Sequence, residues 1–169
     1  MTRIHVCEIT HREIAEQTEL LGEYTAECSV LECESRPQWA MYEQMEQLGT
    51  VQGFGVYVGG VMAGFSMVLT TVFPHYGVLA ATVETLFVGG RYRDTLAGAR
   101  LMRMIESYAK AKGCKAIFYS APVGGRLEAV LGKRYARTNT VYCKPLGELA
   151  EGAGNIRRGR RETAATAAM

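Results

Sequence analysis

A chain of 169 residues with 48% hydrophobic side chains is long enough to bury one ordinary core and leaves no comfortable room for a second domain. No apolar run reaches the roughly 18 residues that span a bilayer, and Met1-Thr2-Arg3 leads into strand-like IHVCEI rather than a signal peptide. A soluble, cytoplasmic protein without membrane contact is expected. The net charge of +2 hides a segregation, because residues 1–50 carry 3 basic and 10 acidic side chains whereas residues 51–146 carry 12 basic and 4 acidic. The basic part suits an anionic ligand. Five cysteines without a CxxC pair favour reduced thiols over a disulfide framework, and with His5, His11 and His75 scattered no metal is expected.

Taken in chain order, IHVCEI reads as a strand, and His11 to Tyr24 and Pro37 to Leu48 read as amphipathic helices. Ile14, Leu20 and Leu21 form the apolar side of the first, and Trp39, Met41, Met45 and Leu48 that of the second. Arg36-Pro37 suits a helix start. Gln52 to Val58 and Val61 to Val72 flank Gly59-Gly60, a strong hairpin signal whose aromatics between Phe54 and Phe73 supply core. Val83 to Val88 is a buried strand that stops at Gly89-Gly90. Gly98, Leu101, Met102, Ile105, Tyr108 and Ala109 then share one face of a helix that ends at Gly113, a suitable left-handed cap. Lys115 to Ala121 reads as a strand, Val123 to Leu131 as a short helix, and Tyr135 to Leu146 as strand material. Residues 1–146 thus make a single domain. Residues 147–169 are poor in large apolar groups and form a basic tail expected to be disordered. Its cluster Arg157, Arg158, Arg160 and Arg161 contacts nucleic acid or simply solubilises the chain.

The junction ETLFVGGRYRDTLAGARLM carries most of the functional information. The helix turn around Thr95 to Gly98 holds no acid, leaves backbone N–H groups without intrahelical acceptors and carries the positive end of the helix dipole. Small residues at Ala97, Gly98 and Ala99 let a phosphate approach those amides, with Arg91 and Arg93 beside them. A strand-to-helix turn that binds nothing is the competing reading. Neither GxxxxGK[ST] nor GxGxxG is present.

The junction resembles the signature of the GNAT superfamily of acyl-CoA-dependent N-acyltransferases. Val88 matches the strand end, Tyr92 the aromatic of the turn, Arg93 the first position of [Arg/Gln]-x-x-Gly-x-[Gly/Ala], and Gly98 the last, with Leu101-Met102 in place of paired leucines. Leu96 stands where the first glycine usually does, and Arg134-Tyr135 stands at a Gly-aromatic pair. The resemblance spans residues 51–146 and is specific over residues 84–113. It implies an α/β fold with a mixed, mostly antiparallel central sheet of about six to seven strands flanked by helices.

The resemblance also implies acetyl-CoA as acyl donor, contacted by Phe87, Val88, Arg93, Asp94, Thr95, Leu96, Ala97, Gly98 and Ala99. The strand before the loop often carries a glutamate base, and Glu84 is the only acid between Glu46 and Asp94. On a two-residue period Glu84 shares a face with Leu86 and Val88, and burial there would raise its affinity for a proton; an edge position or a salt bridge to a loop arginine is the alternative. The tyrosine that often serves as general acid has no counterpart around Glu128 to Leu131, which leaves Tyr119 and Tyr142 as substitutes by proximity, Tyr119 first. Tyr135 should be core, and Cys143 has no nearby histidine to support an acyl-enzyme. Glu27, Glu32 and Glu34 either favour a cationic amine acceptor or form solvated helix faces. Two functions follow: an N-acetyltransferase acting on an amine-bearing small molecule or protein, or an inactive module that binds nucleic acid or a protein partner through its tail. Either would be a monomer or a homodimer.

Overall fold

The computed structural model describes residues 2–28 and 35–142. Glu32, Glu34, Cys143, the last residues of the expected final strand and the Arg-rich tail lie outside them. One compact unit comprises Met1–Glu27 and Arg36–Ser120; a second contains residues 121–142. In chain order the elements are β1 (Ile4–Ile9), α1 (His11–Ala15), α2 (Thr18–Cys28), α3 (Trp39–Gln47), β2 (Val51–Val58), β3 (Val61–Phe73), β4 (Val78–Val88), α4 (Ala97–Ala111), β5 (Ala116–Tyr119) and α5 (Arg126–Gly132).

The strands form one sheet in the order β1-β2-β3-β4-β5. The first three pairings are antiparallel and β4 pairs with β5 in parallel. The mixed α/β architecture matches expectation, but the described residues make five strands rather than six or seven. Tyr135 to Tyr142, expected as strand, carry none. The polar run from Lys133 to Thr140 lacks the alternation that buries one strand face, Arg137 is ion-paired to Glu128 of α5, and Val141 and Tyr142 are exposed. Between β2 and β3 the hairpin forms as read, with Gly59 and Gly60 at φ 62° and 87°, the pair of positive angles a tight two-residue turn requires.

The first helix region splits in two. Thr10 caps α1, its hydroxyl accepting the Glu13 N–H while the Glu13 carboxylate accepts the Thr10 N–H at 2.8 Å. The Gln17 N–H then bonds to Ile14 O, a three-residue step that ends the α-ladder before α2 begins. The α3 helix departs further from its reading as an apolar stripe, since Met41 and Leu48 are exposed and no residue of the helix is fully buried. Polar contacts hold it instead. Glu46 accepts His11 N at 2.6 Å and lies 2.7 Å from His11 Nδ1, Glu43 pairs with Arg12, and Tyr42 bonds to Glu84.

The sheet buries both faces. Phe54, Val56, Val68, Ala81 and Val83 pack with Leu101, Ile105 and Ala109 of α4 on one. On the other, Phe65 and Phe87, paired across β3 and β4, meet the ring of Tyr24 from α2 at 5.6 and 5.7 Å. What distinguishes β4 is a bulge: Val68 pairs with Val83 and Met67 with Thr85, leaving Glu84 as an extra residue between them. The extra residue shifts the alternation, so Val83 packs toward α4 and so do Leu86 and Val88. Side chains replace the disturbed ladder. Thr85 Oγ1 accepts the Met67 N–H at 2.9 Å, and the buried Ser66 hydroxyl donates to Thr85 O at 2.6 Å. Thr85→Val keeps the shape but strands the Met67 N–H, and should cost about 1–3 kcal/mol, read as a lower urea midpoint with unchanged m-value. An unchanged midpoint would show that water or a shifted ladder satisfies that amide.

Candidate functional site

The site is built where β4 runs on past β5. The parallel pairing covers Ala80 to Val83 against Ala116 to Tyr119 and stops there, so the last five residues of β4 leave the partner on that side. The chain then turns through Gly89 and a single 3₁₀ turn at Gly90–Tyr92 into the N-terminus of α4. Tyr119, the last residue of β5, lies opposite Val83, one residue before Glu84.

The first turn of α4 carries no acid and its N-cap, Leu96, makes no side-chain cap. Thr95 Oγ1 accepts the Ala97 N–H at 3.1 Å and donates to Tyr92 O at 2.6 Å, so Gly98 and Ala99 are the amides left for an anion. A methyl group added at Gly98 would meet only Val88 Cγ2, at 3.7 Å, which leaves the space above these amides open. Leu96, in place of a glycine, fits without strain. Its φ of −80° is one any residue adopts, and its side chain is 62% exposed. The loop and the first turn therefore fit a diphosphate.

Other expected contacts are reassigned. Phe87 is 3% exposed with its ring in the core, so only its backbone is available to a ligand. Arg93 Nε donates to Val88 O at 2.9 Å, its Nη2 pairs with Glu27 Oε2 at 2.6 Å, and its guanidinium lies over the Phe87 ring. Its charge thus locks the loop to α2. Glu27, read as a recognition group for an acceptor amine, is the partner in that lock. Glu23, one turn earlier, accepts the Gly90 N–H at 3.0 Å. Asp94 is exposed.

Glu84 is also corrected. The two-residue period places it on the face of Leu86 and Val88; the bulge separates it from both, and its exposed carboxylate accepts a 2.6 Å hydrogen bond from the Tyr42 hydroxyl of α3. Tyr42 had no signal in the sequence, because a tyrosine on a polar helix 42 residues away has no spacing relation to a strand glutamate. Burial and the adjacent Glu84 charge push the Tyr42 phenol well above its ordinary value, so it remains a donor. Tyr119 is half-buried against the α4 face of the core with its hydroxyl oxygen inside, not at the surface. Tyr135 is half-buried and Tyr142 is exposed. Burial raises the Cys7 and Cys114 thiols above their usual range, which opposes thiolate chemistry. Among the described residues no three His, Cys, Asp or Glu side chains gather to hold a metal, and no helix is long and apolar enough to cross a membrane.

The model of the acetyltransferase (GNAT) family matches residues 17–125. Several solved structures share the fold. A ribosomal-protein-alanine N-acetyltransferase from Brucella melitensis biovar Abortus 2308 aligns with TM-score 0.68 and 18% identity over 86% of this chain and all of its own. An aminoglycoside acetyltransferase from an uncultured soil metagenomic sample aligns with TM-score 0.68 and 14% identity over 86% and 99%. Glucosamine-6-phosphate N-acetyltransferase from Arabidopsis thaliana gives TM-score 0.65 and 16% identity over 86% and 99%. No curated protein matches the sequence.

The Tyr42 environment predicts a titration. The folded chain holds the Tyr42 proton after an unfolded tyrosine, at about 10, has lost it, so stability should fall as pH rises above that value. Ultraviolet titration of wild type against Tyr42→Phe should place the missing phenol above the other tyrosines. A difference centred in the ordinary range would mean that the bond to Glu84 does not persist in solution.

Proposed function

Because the chain belongs to the acetyltransferase (GNAT) family, we propose that it transfers an acetyl group from acetyl-CoA directly to a primary amine. One arrangement carries the reading: β4 runs on past the end of β5 at Val83 and Tyr119, Glu84 follows at once, and the same strand leads into the acid-free first turn of α4. The N–H groups of Gly98 and Ala99, at the positive end of the α4 dipole, would hold the diphosphate, with Thr95 to Ala97 shaping the turn. Arg93, though committed to Glu27, keeps the loop in register and adds positive charge beside it. The backbone of Phe87 and Val88 lines the approach.

When bound, acetyl-CoA supplies an activated thioester. Glu84 takes the proton that the amine nitrogen gives up as its bond to the acetyl carbon forms, directly or through a water. The thiolate released as the carbon–sulfur bond breaks takes its proton from solvent, since the Tyr119 hydroxyl oxygen is buried, so an amide and a free thiol leave. An exposed carboxylate at Glu84 also favours an acceptor that arrives as a cation, which gives one proton to solvent before its nitrogen attacks. The relatives with this fold are named for amines of different kinds, a protein alanine, an aminoglycoside and an amino sugar phosphate.

Millimolar acetyl-CoA should raise the melting temperature, as any ligand of the folded state does, and Gly98→Glu should abolish the shift by adding bulk and like charge at the amides. No shift in the wild type would overturn the cofactor assignment. In a thiol-release assay with spermidine, a lysyl peptide and glucosamine as acceptors, Glu84→Gln should lower kcat by about a hundredfold or more while the acetyl-CoA melting shift remains. Full turnover in that variant would remove Glu84 as the base.

A further inference from the structure

We propose that Tyr42 is a positioning residue for acetyl transfer, holding Oε1 of Glu84 so that Oε2 alone faces the acceptor amine. The inference rests on the assignment of Glu84 as base and deepens it. A glutamate at a bulge is turned out of the ladder, so neighbouring strands do not set its rotamers. An exposed, unbraced side chain of this kind samples several rotamers, and a base that must meet a nitrogen at hydrogen-bond distance loses rate when it wanders. Tyr42 removes that freedom. Its hydroxyl donates to Oε1 at 2.6 Å, and among the described residues Oε2 accepts no hydrogen bond.

The donor is itself braced. The Tyr42 ring packs on Trp39 at 5.7 Å, Trp39 stacks on His11 at 6.4 Å, and His11 is bonded through its ring and its backbone to Glu46, one turn beyond Tyr42 on α3. His11 is 5% exposed and immobilised by the packing of α1. A chain of contacts therefore runs from the buried end of α1, through α3, to one carboxylate oxygen of Glu84. Since α3 buries no residue fully, apolar packing alone does not account for its placement, and the Tyr42 hydroxyl is the atom through which α3 reaches the reacting region. Held as a proton donor, the phenol cannot compete with Glu84 for the amine proton, so its role is orientation rather than transfer.

The test is a double-mutant cycle of Tyr42→Phe and Glu84→Gln in the full chain, assayed by thiol release from acetyl-CoA with spermidine, a lysyl peptide and glucosamine. Tyr42→Phe keeps the ring and its packing on Trp39. It should lower kcat by roughly ten- to a hundredfold, with KM for acetyl-CoA and the acetyl-CoA melting shift unchanged. In the Glu84→Gln background the same change should cost almost nothing, because the residue through which Tyr42 acts is gone. Equal losses in both backgrounds, or full kcat in Tyr42→Phe beside a damaged Glu84→Gln, would overturn the role of Tyr42 and leave Glu84 as base. Full kcat in Glu84→Gln, or no thiol release by the wild type with any of the three amines, would overturn the base assignment and the positioning role together. Additive effects of Tyr42→Phe and Glu84→Ala on the urea midpoint, where no side-chain oxygen is left at position 84 to accept the phenol proton, would overturn the positioning role without recourse to turnover.

Discussion

The structure turns on one extra residue. Glu84 enters β4 between two residues that pair with neighbours on β3, and a bulge of this kind bends and twists the strand that carries it. Immediately before it, at Val83, the pairing with β5 ends. Beyond Val83 the strand has no paired neighbour on the β5 side among the described residues and runs on to the loop that leads into α4. The same residue inverts the inward and outward positions downstream, directing Leu86 and Val88 toward α4 and Phe87 toward α2. Ser66 and Thr85 make this permanent by satisfying the backbone groups that the bulge displaces.

The two sides of the site are held by different forces. On the α4 side, Ala97, Leu101, Met102, Ile105 and Ala109 are all buried, so the helix is seated by apolar burial over several turns. On the other side, α2 adds polar contacts to the packing of Leu20 and Tyr24, and α3 approaches through polar contacts. Glu23 and Glu27 of α2 close on Gly90 N–H and Arg93, while Tyr42, Glu43 and Glu46 of α3 close on Glu84, Arg12 and His11. Several of these contacts are partly exposed, and such contacts contribute little stability each. What they supply is direction, because a hydrogen bond fixes an atom where packing fixes only a surface.

The acidic excess of residues 1–50 acquires a physical meaning in this frame. Glu23, Glu27, Glu43 and Glu46 each meet a donor or a cation from another element, so these acids join elements rather than merely solvate helix faces. Arg93 shows the converse. Its position in the signature identified it as a phosphate residue, yet its guanidinium bridges the end of β4 to α2. The motif was legible because it encodes a local turn. The partner of its arginine was not, because Glu27 lies 66 residues away and no periodicity links the two.

Periodicity and turn chemistry in the sequence alone determined the β2–β3 hairpin, the β4–loop–α4 junction, the α4 core face from Leu101 to Ala109 and the Gly113 cap. Each is set by neighbours within a few residues, where backbone sterics and side-chain spacing act directly. Only the tertiary structure decided the bulge at Glu84, the end of the β4–β5 pairing at Val83 and the pairing of Tyr42 with Glu84. A two-residue alternation read through Val83 to Val88 places Glu84 beside Leu86 and Val88, whereas register is a property of two strands at once. Whether the acid faces the core or solvent therefore depends on how Met67 and Val68 meet it, and that comparison exists only in the folded sheet.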